Sequence, residues 1–176
     1  MLYILILCGL IAVGFFTYRR LQNGAHIAGD IIDAPAPVRA AAKRLGFHAQ
    51  PNVESIASIP TAELCVVAMA VAFAQMDDKS APADAIIAGS VKKHLLLDPQ
   101  EAQDMMLIAP WLIDQGGGPT PAFERLTKRL KQLDHGPFFG KMMNVIGDVK
   151  AAGTKGMASA RQSDAMGTLA RIFRTA

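Results

Sequence analysis

Between Leu64 and Met76 the chain reads LCVVAMAVAFAQM, thirteen residues without one charged side chain, and this run limits the fold more than any other feature. Alanine, leucine and methionine favour a helix. A helix over Pro60–Met76 that is apolar nearly all round after Glu63 has no face to offer water, so other elements must cover it on every side. At about 1.5 Å per residue the run reaches roughly 20 Å, short of the ~30 Å that a bilayer core requires. It is expected at the centre of a helical domain.

The remaining helices are predicted from their punctuation. Ser80 can cap a helix over Ala81–His94, with Pro82 in its first turn. Asp98 followed by Pro99 opens Pro99–Gln115, which Gly116, Gly117 and Gly118 stop. Thr120 and Pro121 start Pro121–Leu133, and after a break at Asp134, His135, Gly136 and Pro137 a helix is expected over Phe138–Ala152. Val38–Leu45 is a short helix-favouring stretch ended by Gly46, either a first helix of the domain or an element near lipid headgroups. No run of alternating β-branched residues lies between turn signals, so the class is all-α. Trp111 and Phe123 are expected to pack between helices.

Ahead of this domain, Met1–Tyr18 reads MLYILILCGLIAVGFFTY, uncharged and followed at once by Arg19 and Arg20. Leu2, Ile4, Leu5, Ile6, Leu7, Leu10, Ile11, Val13, Phe15 and Phe16 give it an apolar surface, and about 27 Å of helix just spans a bilayer core. A cleaved secretory signal carries its positive charge before the apolar stretch; here the charge follows. The expectation is a single N-terminal transmembrane helix over 1–20. Arginines after a span stay on the cytoplasmic side, which places the N-terminus in the periplasm and the rest in the cytoplasm of a bacterial inner membrane. The reading divides the chain into an anchor (1–20), a linker with a short helix (21–52), a helical domain (53–152) and a basic tail (153–176).

With hydrophobic residues at 51% and charged residues at 19%, the chain is too apolar to be disordered. Two cysteines, Cys8 and Cys65, cannot build a disulfide scaffold. The net charge of +3 hides an acidic middle, where residues 61–120 carry three Lys/Arg and eight Asp/Glu, and a basic end, where 121–176 carry ten and four. Those basic residues are not interleaved with aromatics and form no recognition motif, so no nucleic acid is expected as a partner. In Ser163–Thr175, Met166, Leu169 and Phe173 repeat at helical spacing with Arg171 and Arg174 opposite. This tail helix is expected to lie on a membrane or to dock on a partner, the competing reading being a frayed, solvated tail.

The sequence carries no signature of catalysis. His26, His48, His94 and His135 are isolated, and neither HExxH, a Cys/His spacing, a serine elbow, a phosphate-binding loop nor GxGxxG is present. No enzyme and no cofactor are expected. Asp77, Asp78 and Asp84 gather at the turn after the apolar helix, and oxygen ligands of this kind suit a hard cation. The competing reading is favourable charge near the next helix's N-terminus.

MAVAFAQMDDKSAPADAIIAGSVKKHLLLDPQEAQDMM, Met69–Met106, resembles the tellurite-resistance TerB-like superfamily. The features that carry the resemblance are an Ala-rich buried helix ending in an acidic turn at Asp77 and Asp78, a following helix, and the short start LLLDPQEAQDM of the next. The likeness extends over roughly Ile59–Ala152. It implies a compact helical bundle, often fused to membrane spans or other modules, that works by interaction. The sequence therefore leads to a membrane-anchored, non-enzymatic accessory or scaffolding subunit. Its partners would be the lipid bilayer and other subunits of an inner-membrane complex, respiratory or photosynthetic. The alternative is a cation-binding or envelope- and tellurite-stress module using the acidic turn.

Overall fold

In the computed structural model, residues 34–49, 53–77, 84–134, 136–153 and 157–174 are described. They form seven helices and no strand: α1 (Ala36–Arg44), α2 (Ala62–Gln75), α3 (Asp84–Leu95), α4 (Pro99–Gln115), α5 (Pro119–Leu133), α6 (Pro137–Ala152) and α7 (Ala160–Arg174). The all-α class follows directly.

α2 is the apolar run expected at the centre. Thr61 caps it, its Oγ1 accepting from the Leu64 backbone N–H, and every residue from Leu64 to Ala74 is buried. Helices α3, α4, α5 and α6 surround it. Phe73 of α2 meets Phe123 of α5 with ring centroids 6.1 Å apart. Cys65 sits in this core, where burial pushes its thiol up to about 12, so it stays protonated and inert.

Corners are fixed by caps and glycines. Asp98 Oδ1 accepts from the backbone N–H groups of Gln100 and Glu101, 2.8 Å each, and starts α4. At its far end Gly116 is obligatory, because an added Cβ would stand 2.7 Å from both Ala122 and Ile56. Gly117 and Gly118 then turn the chain at φ of 83° and 101°, which glycine adopts freely. Asp134, buried before α6, accepts from the N–H groups of Gly136, Phe138 and Phe139 and caps that helix from two residues upstream.

The stretches placed by sequence in a linker, where a first helix of the domain stood as one reading, and in a tail both pack on the bundle. α1, expected within a linker, buries Val38, Ala41 and Ala42 against α4. Arg44 forks onto Asp104 through Nε at 2.7 Å and Nη2 at 2.6 Å, and Phe47 meets Trp111 edge-on at 6.3 Å. α7, expected as a tail, lies along α5 with Gln162, Ala165 and Leu169 buried.

The expected fold needs one correction. The transmembrane helix over 1–20, with its anchor residues from Leu2 to Arg20, lies outside the described residues, and among the described residues no helix is long and apolar enough to cross a membrane. The longest, α4, has 17 residues and carries Glu101, Asp104 and Asp114; the most apolar, α2, has 14 and is enclosed by protein. About 21 Å of helix falls short of a bilayer core. Among the described residues the architecture is an all-α bundle in which no spanning helix is found.

Candidate functional site

The surface is interrupted where α2, α3 and α4 meet, by a groove of about 530 Å³. Val71 of α2 and Ala102 of α4 lie at its base, the exposed Gln75 of α2 stands at its rim, and Asp84, Ala85, Ala88 and Lys92 form the α3 wall. Gln103, Met106, Leu107 and Pro110 form the α4 wall, with Pro99 at its start. Helical periodicity assembles each wall: 84, 88 and 92 repeat at four residues on α3, and 99, 103, 106 and 110 follow one stripe of α4. Leu107 and Pro110 are exposed there, as are Ala85 and Lys92, so the groove opens to solvent. Pro110 lacks the N–H that would bond the Met106 carbonyl one turn back, leaving an acceptor on the same wall.

The lining is mainly apolar. Its floor is apolar, its ionic groups are one carboxylate and one ammonium eight residues apart on α3, and no nucleophile stands beside a base. Neither Asp84 nor Lys92 enters any of the salt bridges among the described residues.

A polar cluster joins α3 to α6. Ser90 Oγ donates to Asp148 Oδ2 at 2.9 Å, and His94 Nε2 lies 2.9 Å from the same oxygen. With a carboxylate as acceptor, the proton belongs on Nε2. Hydrogen bonds from Ser90 and then His94 hold the Asp148 carboxyl below its ordinary range. Serine, histidine and aspartate thus come together, but both partners address the carboxylate, which leaves the histidine no geometry for activating the serine. The cluster fastens two helices. The i,i+4 spacing of Ser90 and His94 was legible; Asp148, distant in sequence, was not.

The acidic turn is divided. Asp84 lies on the groove, Asp77 lies near Gly153 at the end of α6, and Asp78 falls outside the described residues. Among the described residues no group of three or more His, Cys, Asp or Glu side chains could hold a metal ion. On α7, Leu169 is buried, Met166 and Phe173 pack against the core, and Arg171 and Arg174 are exposed. Phe173 meets Phe139 of α6 at 4.8 Å, and the Ile172 carbonyl accepts from Lys131 Nζ at 2.7 Å.

No family model, no curated protein and no solved structure matches the chain.

Proposed function

We propose that the protein is a non-enzymatic interaction module that receives a helix of another polypeptide along the groove between α2, α3 and α4. The observation that carries this reading is the groove itself: small and flexible apolar residues, Ala85, Ala88, Ala102 and Met106, between polar rims at Gln75, Gln103 and Lys92. Small residues leave room for the ridge of an incoming helix, and the thioether chain of Met106 adapts to what enters. Apolar grooves of this kind take amphipathic helices through anchors spaced at one turn. The resemblance of Met69–Met106 to the TerB-like pattern supports the same reading, because domains of that superfamily work by interaction. A role as an accessory or scaffolding subunit follows from it.

The test is site-directed photo-crosslinking with the full chain in its own cell. A photoreactive residue in place of Leu107 is expected to give one discrete adduct, absent when the probe replaces exposed Asn144 on α6. Ala88→Trp, which fills the groove, should abolish the adduct without lowering the thermal midpoint. Identical adducts from positions 107 and 144, or an adduct that survives Ala88→Trp, would overturn the reading.

A further inference from the structure

The α3 wall of the groove has an internal symmetry. Asp84 stands at its N-terminal end and Lys92 at its C-terminal end, with Ala88 midway, all three on the groove side. At 1.5 Å per residue the two charges are separated by about 12 Å along the helix. Both are exposed, neither is in a salt bridge among the described residues, and between them the wall is no larger than alanine. An antiparallel copy of α3, turned about a two-fold axis through Ala88, would set each Asp84 against the other copy's Lys92. It would also oppose the two helix macrodipoles favourably. The surface is complementary to itself, which is the condition for a two-fold interface.

We infer that the groove is occupied by α3 of a second copy of this chain, in an antiparallel two-fold pair centred on Ala88. The inference rests on the reading of the groove as a helix-binding site and names its occupant. Ala85 and Ala88 let the two helix backbones approach closely, while Leu107 and Met106 of each copy close over the partner helix from the α4 side. The two ion pairs set direction and register, as charges flanking a packed seam do.

Disulfide capture tests this directly, because only a residue on the two-fold axis meets its own counterpart. In the full chain carrying Cys8→Ser, Ala88→Cys should oxidise to a covalent dimer at least tenfold faster than Gly147→Cys on the exposed face of α6. Adding Asp84→Lys places like charges together and should slow capture about tenfold; adding Lys92→Asp as well restores the pairing with its signs exchanged and should recover the rate. Equal rates for Ala88→Cys and Gly147→Cys, or a double charge exchange that fails to rescue, would overturn the homodimer. The crosslink at position 107 separates this failure from that of the parent reading. An adduct of twice the chain mass supports the homodimer, an adduct with a different polypeptide sinks the homodimer alone, and no adduct sinks both.

Discussion

Helix α2 is finished in different ways by α7 and by the pair α3 and α4. α7 supplies a capping box: Ser159 Oγ accepts from the Gln162 N–H at 3.2 Å, and Gln162 Oε1 accepts from the Ser159 N–H at 3.0 Å. The same glutamine donates through Nε2 to the Phe73 carbonyl at 2.9 Å, in the last turn of α2, where the Met76 N–H reaches that oxygen only at 3.3 Å. The N-terminus of one helix thereby closes the C-terminus of another. At the groove the described residues provide no such cover. Leu107 and Pro110 stay exposed, and two charges of opposite sign face solvent without a salt bridge among the described residues. The difference teaches that this chain can build a helix to seal an apolar seam, and that among the described residues the seam at the groove has no such helix, which is why it is read as a place for a helix from outside.

The contrast is sharpest when one leucine is truncated on each side. Leu169 is 2% exposed on the inner face of α7, and Leu169→Ala should cost about 3 kcal/mol, the loss of a buried side chain plus the space left behind. Leu107 is 39% exposed on the groove wall, and Leu107→Ala should change the stability of the isolated chain by no more than about 0.5 kcal/mol. Urea unfolding of both variants decides the matter. Comparable losses would mean that α7 is a loosely attached tail, or that the groove wall is already covered in the isolated chain.

The bundle was readable where local chemistry decides it. Asp98-Pro99 at one end and the triple glycine at the other place α4 at Pro99–Gln115, and the uncharged run places α2 at the centre. The start expected for α7, Ser163, lies three residues beyond the observed Ala160, although the signal was present: Ser159 and Gln162 have the S-x-x-Q spacing of a capping box. What local pattern does not contain is pairing across the chain. Nothing near Arg44 announces Asp104, sixty residues on, so α1 reads as part of a linker until that buried carboxylate is seen to need its guanidinium. The groove escapes the sequence for the same reason, since its walls come from three helices whose approach is set by packing. Residues 1–20, on which much of the expected architecture rests, lie outside the described residues.

A smaller effect of opposite sign is expected where α3 passes into α4 beside the groove. Leu96 holds φ at 60° and is 84% exposed, so it pays for a left-handed backbone and returns little by burial. Leu96→Gly should raise stability by about 1 kcal/mol, the size of the penalty that an L side chain carries in this conformation. If the urea midpoint of the variant instead falls, the leucine makes contacts that its exposure does not reveal.

The smallest effect is confined to acid and concerns the bond between α3 and the side of the bundle away from the groove. Hydrogen bonds from Ser90 and His94 lower the Asp148 pKa in the folded chain relative to the unfolded one. A depressed folded value means that the unfolded state takes up protons first as pH falls. The stabilisation is therefore complete above the ordinary aspartate value of about 3.9, and it disappears as pH drops through the lower folded value. Asp148 is 44% exposed, so water screens the effect and the change is expected to be slight. Between pH 6 and pH 3 the thermal midpoint of Asp148→Asn should fall less steeply than that of the unaltered chain, because the amide has no proton to gain. Asp104, held low by Arg44 and only 3% exposed, supplies the comparison within the same molecule. Asp104→Asn should flatten the acid slope more than Asp148→Asn, since its carboxylate depends on protein partners alone. If Asp148→Asn has the larger effect, the α3–α6 bond is the better protected of the two.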